Sequence, residues 1–139
     1  MSFGFSPDIW GPHAWFFIDT VCMRYPDSPT ADDKKNYYNF LSLLEYILPC
    51  DKCRKNYKHH LSINPLSDDV LLTRQNLILW IINMHNLVRM KNNKPVYTYN
   101  SFINYYNKQY TKSFNFDILM AFIGVAIVGV LCYKFLYKK

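Results

Sequence analysis

Leu48-Pro49-Cys50-Asp51-Lys52-Cys53-Arg54 is the stretch around which the rest of this 139-residue chain is organised. Two cysteines separated by two residues can close a small disulfide when a helix begins at the first of them, and Pro49 suits such a start. The positive end of a helix, with Lys52 and Arg54 alongside, favours thiolate over thiol. A thiolate is the species that exchanges disulfides, so a redox centre is one reading. Half of a zinc site is a second, and an inert pair of buried thiols a third. The pair alone does not choose among them.

Helical periodicity surrounds it. Upstream, Tyr37, Phe40, Leu41, Leu44, Ile47 and Leu48 keep the i, i+3, i+4, i+7 spacing of one apolar helix face. Thr30 with Asp33 three positions on is a variant capping box that starts this helix, and Pro49 breaks it. Earlier still, the stretch from Ile9 begins irregular and then turns apolar at helical spacing. It puts Trp15, Ile18, Val21 and Cys22 on one face before Tyr25-Pro26-Asp27-Ser28-Pro29 stops it. Downstream, a shorter helix is expected from about Cys50 to Leu61, with Asn64-Pro65 as a turn. A fourth is expected from about Leu71 to Met90, with Leu77, Ile81, Met84 and Val88 on one stripe and Trp80 and Leu87 beside it. Lys91-Asn92-Asn93-Lys94-Pro95 closes it. Asn100 or Ser101 can cap a short fifth helix carrying Phe102, Tyr105 and Tyr106. No stretch shows the alternation of a strand.

The C-terminal segment is of another kind. From Ile118 to Tyr133 no charge occurs, and with its flanks, Phe114 to Asp117 and Lys134 to Tyr137, the run reaches about 20 residues, enough to cross a bilayer. Lys134 can snorkel to the interface while Lys138 and Lys139 stay in water. A buried core helix is the plainer reading of such a run, but the bundle before it is already complete. The expected architecture is therefore all-α. Residues 1–112 form a four-helix bundle plus a short fifth helix, and residues 113–139 a single C-terminal transmembrane helix with a short basic tail.

Half of the chain is hydrophobic and 18% aromatic, which supports a real core, and only 4 glycines argue against a β-rich or glycine-loop fold. The net charge of +6 comes from lysines and arginines scattered over several segments, not from a basic stripe, so no nucleic-acid partner is expected. Four cysteines (Cys22, Cys50, Cys53 and Cys132) are too few and too dispersed for a secreted disulfide scaffold. Met1 to Pro7 has no secretory-signal pattern.

A lone His85 on a helix is ordinarily a core residue. Here it falls in line with other motifs. Trp10-Gly11-x-x-x-Trp15, Tyr25-Pro26, the cysteine pair and His85-Asn86-x-Val88 keep an order and spacing, over roughly residues 8 to 110, that resembles the Erv/ALR family of FAD-linked sulfhydryl oxidases. Lys94-Pro95 lies in the family's register after the histidine. The resemblance implies an FAD cofactor, with Cys53 as the flavin-proximal sulfur and Cys50 as the one a substrate thiolate attacks. Electrons would pass from Cys53 to FAD and on to molecular oxygen, giving hydrogen peroxide. It further implies that Trp10, Gly11, Trp15, Asp19, Tyr25, His85, Asn86, Val88, Arg89, Lys94 and Tyr106 line the FAD pocket, with Lys94 countering flavin or phosphate charge.

The chain also departs from the family pattern. Asp19 stands where relatives commonly carry histidine, Arg89 replaces a frequent asparagine, and Tyr106 falls near a usual tryptophan. The positions matching a further disulfide of some relatives are about Ser62 and Tyr99, so that staple is absent, and no second cysteine pair exists to act as a shuttle. The short, anchored form resembles members from large cytoplasmic DNA viruses. One apolar span at the C-terminal end, with no signal pattern at the start, leads to the expectation of a single-pass protein whose catalytic domain stays cytosolic, and the resemblance implies a host or virion membrane. The family resemblance also implies a homodimer and a protein dithiol substrate, and with no shuttle pair in the chain a small thioredoxin-like redox protein is the expected kind. Lysines flank both ends of the apolar span, so charge bias leaves the orientation open. A zinc module lacks further ligands near the pair, and no metal is expected. A thioredoxin-like enzyme would need strands around its Cys-x-x-Cys. The remaining alternative is a non-enzymatic, membrane-anchored helical interaction module with a structural or metal-binding cysteine pair.

Overall fold

Hydroxyl and thiol side chains set the start of four helices. In the computed structural model, which describes residues 4–137 apart from the side chains of 112–117, Ser6, Thr30, Cys50 and Thr73 each accept a backbone N–H from the first turn of the helix they cap. These begin α1 (Pro7–Met23), α2 (Ala31–Ile47), α3 (Asp51–Ile63) and α4 (Arg74–Lys91), and α5 (Tyr99–Tyr137) comes last. A 3-10 turn, Val70–Leu72, precedes α4, and no strand occurs among the described residues. The expected aqueous placement of Lys138 and Lys139, and that of the side chains of Lys112 and of Phe114 to Asp117, lie outside the described residues.

The capping box at Thr30 forms as expected: Asp33 N–H donates to Thr30 Oγ1 at 3.1 Å and Thr30 N–H to Asp33 Oδ2 at 2.9 Å. Several expected boundaries shift. The first helix is regular from Pro7, because Ser6 caps it and a proline at the first helical position gives up an N–H that has no partner there anyway. Pro12 is carried within it. The fourth helix starts at Arg74 and not near Leu71, since Thr73 is extended and acts as its cap. Ile47, expected on the buried stripe of α2, is 59% exposed at the end of that helix. The short fifth helix and the apolar span are one continuous helix of 39 residues, about 58 Å at 1.5 Å per residue. Neither glycine nor proline lies between Tyr99 and Asp117 to interrupt it.

The chain divides into two units, Met1–Tyr99 and Asn100–Lys139. In the first, cross-helix bonds fix an antiparallel, up-down-up-down order. His85 meets Asp19 while Arg74 meets the Tyr25 carbonyl, which runs α4 against α1. Lys91 donates to Asn56 and Trp80 to the Asn64 carbonyl, which runs α4 against α3. Tyr37 donates to the Val21 carbonyl, and the rings of Phe17 and Phe40 meet edge to face, which runs α2 against α1. Between them Cys22, Leu41, Leu77, Ile81 and Met84 lose all exposure. Each large apolar side chain so buried contributes about 1.5–3 kcal/mol. One end of the bundle thus gathers the start of α1, the end of α2, the start of α3 and the end of α4.

In the second unit Phe102 and Tyr106 are buried, with ring centroids 4.9 Å apart. Ile118–Tyr137 has a mean hydropathy of 2.3 over 20 residues, is wholly exposed, and is long and apolar enough to cross a membrane.

The end of α4 is locked by backbone geometry. Asn93 takes φ 53°, its N–H donates to the Met90 carbonyl at 3.1 Å, and the Lys94 N–H donates to the Arg89 carbonyl at 2.8 Å. This is the double-bonded cap that a left-handed residue permits. Asn93→Val is expected to lower stability by about 1–2 kcal/mol, because a β-branched residue is strained there, while Asn93→Gly should be neutral within a few tenths. Thermal unfolding of the two variants checks it.

Candidate active site

Cys50 sits at the mouth of α3 as its cap. Its Sγ accepts the Cys53 N–H at 3.2 Å, the role a serine or threonine oxygen fills at the other helix starts. Both cysteines are free thiols and half-buried. The hydrogen bond from the Cys53 thiol, then the backbone N–H groups of Cys53 and Lys52, lowers the Cys50 pKa below its ordinary value. Burial, then the hydrogen bond and charge of Cys50, pushes Cys53 up to about 11. Arg54, expected to act on the thiols, instead donates to the Leu48 carbonyl at 2.6 Å and pairs with Asp51. It braces the turn that presents the pair. The expected thiolate character holds for Cys50 and fails for Cys53, whose burial outweighs the helix start; the arginine contribution is corrected to a structural one.

On α4, His85 is stacked on Trp15 of α1, with ring centroids 4.2 Å apart and planes 8° from parallel. Its Nδ1 lies 2.8 Å from Oδ2 of the fully buried Asp19. Tyr97 approaches the imidazole edge to face at 5.5 Å. Asn86 then fixes Tyr97 from both sides: its Nδ2 donates to the Tyr97 carbonyl and its Oδ1 accepts the Tyr97 N–H, each at 2.8 Å. Arg89 lies with its guanidinium 4.0 Å over the Tyr97 ring and donates to the Pro95 carbonyl. Val88 is half-buried between them in sequence, and Lys94 is exposed. Tyr97 had no signal in the sequence. It lies in an aperiodic loop, and only its contacts mark it.

Trp15, Asp19, His85, Asn86 and Arg89 are thereby brought together where α1, α4 and the loop carrying Tyr97 meet. Trp10 and Gly11 precede them on α1; the Trp10 indole donates to the Phe5 carbonyl at 3.3 Å. A Cβ at Gly11 would meet nothing within 4 Å. The chain's own reason for glycine there is Pro12, which disfavours a helical residue with a side chain before it. Tyr25 lies at the other end of α1, fully buried, with its hydroxyl donating to the Leu71 carbonyl at 2.9 Å and its ring against Tyr37. Its side chain is spent on the core. Tyr106 is buried in the second unit. Among the described residues no group of three or more His, Cys, Asp or Glu gathers as a metal would need.

A flat cofactor fits this donor set. The Trp15–His85 pair offers an aromatic wall, and His85 Nε2 is a ring nitrogen that no described residue hydrogen-bonds. Arg89 and Lys94 supply cations at the end of α4.

Known proteins resemble this chain in sequence and fold. The mimivirus protein named "Probable FAD-linked sulfhydryl oxidase", from Acanthamoeba polyphaga mimivirus, is 46% identical over 94 residues, which is 68% of this chain and 66% of that one. The mitochondrial FAD-linked sulfhydryl oxidase of Saccharomyces cerevisiae is 29% identical over 90 residues, 65% of this chain and 46% of that one. The chain thus spans just under two thirds of the first relative's length and about half of the second's. The crystal structure of the yeast Erv1 core superposes with a TM-score of 0.65 at 26% identity, covering 73% of this chain and 83% of that one. The FAD binding domain of yeast Erv1 gives a TM-score of 0.64 at 26% identity, with 73% and 91% covered. The Erv1 / Alr family model matches residues 12–111, most of the chain, and the protein belongs to that family.

Proposed function

We propose that this protein is an FAD-linked sulfhydryl oxidase that makes disulfides in protein dithiols through Cys50 and Cys53. The observation that carries the reading is that one helical bundle holds both a redox-capable cysteine cap on α3 and a Trp15–His85 stack between α1 and α4. Trp10, Gly11, Trp15, His85, Asn86, Val88, Arg89 and Lys94 are the proposed cofactor-binding residues. Trp15 and His85 would supply a flat wall, Asn86 and Tyr97 would hold the closing loop, and Arg89 and Lys94 would supply cations for the phosphates. Asp19 belongs to the group through His85. Bound FAD would take up the electron pair from the cysteines and hand it to molecular oxygen, yielding hydrogen peroxide.

The protein's own steps derive from the sulfur chemistry. A substrate thiolate attacks Sγ of Cys50 in the Cys50–Cys53 disulfide, forming a mixed disulfide and expelling Cys53 as thiolate. The second substrate thiol, once deprotonated, attacks the substrate sulfur of that mixed disulfide and releases Cys50. The lowered Cys50 pKa favours this release, since a more acidic thiol leaves faster. Two substrate thiols are oxidised to one disulfide, and the cysteine pair is left reduced.

The fitting substrate is a protein dithiol, such as a small thioredoxin-like protein, that can reach a membrane surface. Residues 1–112 form the catalytic domain and 113–139 the anchor of a single-pass membrane protein, with the domain on the cytosolic side of a host or virion membrane. A homodimer is supported by apolar side chains left on α1 and α2, where Phe17, Tyr38, Tyr46 and Ile47 are each about half exposed or more. Purified full-length protein in detergent, supplied with FAD, is expected to be yellow and to oxidise dithiothreitol while consuming oxygen. A folded protein that stays flavin-free in excess FAD would overturn the proposal.

A further inference from the structure

We propose that Asp19 is a positioning residue whose buried carboxylate holds His85 in the tautomer protonated at Nδ1, leaving Nε2 as a hydrogen-bond acceptor toward the cofactor. This rests on the flavin reading above and extends it to a position where the chain departs from its family pattern.

Three observations carry it. Asp19 has no exposed surface, the His85 side chain only 11%, and the contact between them is 2.8 Å. An ionised carboxylate can only accept, so the nitrogen facing it must donate. Two acceptors at that distance in a buried site would repel and leave both unsatisfied. The second observation is restraint. Trp15 lies flat on the imidazole at 4.2 Å and Tyr97 stands against it at 5.5 Å, which hold the ring plane, and of the two orientations in that plane only the one observed keeps Nδ1 on Asp19. The third is what remains. Nε2 has no hydrogen-bond partner among the described residues, and it is not among the buried polar atoms left unpartnered. It is therefore open to a donor from outside the chain. A flavin nucleotide carries N–H and O–H donors; with Nδ1 spent on Asp19, Nε2 can receive one of them. Asp19 need not touch the cofactor to do this. Its effect is exerted on which edge of His85 accepts.

The test uses the full chain in detergent with nitrogen-15-labelled histidine. Only 4 histidines are present, and His85→Gln identifies the signal. Long-range proton–nitrogen spectra at about pH 8, before FAD is added, should show His85 protonated at Nδ1. Asp19→Ala should move the proton to Nε2 and weaken FAD binding by about tenfold, the loss of one good hydrogen bond. Asp19→Asn keeps a carbonyl oxygen in nearly the same place, and should keep both the tautomer and an FAD affinity within about threefold. A wild-type ring protonated at Nε2 overturns the proposal. So does an Asn variant that retains the Nδ1–H ring yet loses FAD as fully as the Ala variant. Should the Ala variant not fold, the wild-type and Asn spectra still decide. The tautomer is read without cofactor, so its failure is distinct from a failure to bind FAD.

Discussion

Replacing Cys53 with Ser should reduce thiol-driven flavin reduction to background while leaving the flavin bound. A serine hydroxyl cannot form the disulfide that accepts substrate electrons, and none of the aromatic or cationic side chains of the site is disturbed. Cys50 then remains as a lone thiol at a helix start, where the N–H of residue 53 still caps it. Its thiolate attacks the disulfide of an oxidised partner, expels one partner thiol, and stays joined to the other, with no Cys53 to resolve the adduct. The covalent complex should vanish with reductant and be unaffected by Cys132→Ser, because Cys132 lies within the apolar span. Cys22→Ala should keep near-normal turnover, since Cys22 is fully buried and its thiol is held well above its ordinary pKa by that burial and by the charge of Asp19. Gel analysis under non-reducing conditions and oxygen consumption check both. Equal loss in the Cys22 and Cys53 variants would place Cys22 on the electron path.

Alkylation of the reduced protein is expected to be strongly one-sided. Cys50 is lowered from its ordinary value and Cys53 is pushed up to about 11. At pH 8 only about one Cys53 in a thousand is then thiolate, the form that reacts. Iodoacetamide should label Cys50 first, with Cys53 slower by on the order of a hundredfold. The sign is set by the raised pKa: Cys53 stays protonated and unreactive until the pH approaches that value. Raising the pH from 8 to 10 should therefore accelerate Cys53 labelling by about a hundredfold, and Cys50 by far less. Peptide mapping by mass spectrometry reads the two sites separately. Preferential labelling of Cys53 at pH 8 would mean that the helix cap does not govern the pair.

Local rules were enough for much of the molecule. Thr30 with Asp33 announces the start of α2, Pro49 its end, and the spacing of Leu77, Ile81 and Met84 the buried face of α4. Each depends on neighbours within one or two helical turns, which a sequence displays directly. The uncharged run from Ile118 shows its character by composition alone. The order of Trp15, the cysteine pair and His85-Asn86 also pointed to the family that the comparison then showed.

Tertiary structure decided what depends on residues far apart in the chain. Asp19 reads as one more polar position on α1; its meaning comes from His85, 66 residues away, and from a burial that no local pattern encodes. Tyr25 stands in a motif, yet its hydroxyl is consumed by the Leu71 carbonyl across the bundle. Tyr97 has no periodicity to announce it, and is placed by Asn86 and Arg89. Arg54 looks like a neighbour of the thiols in sequence, but its reach to Leu48 and Asp51 turns it into a brace. Sequence alone determined which segments coil and most of each apolar face, because those depend on helical period, while the exact starts of α1 and α4 and the union of the fifth helix with the span came from the structure. The partner of each polar side chain was decided only when the antiparallel helices closed, since a buried charge or hydroxyl must find whatever complementary group the packing brings within hydrogen-bond reach.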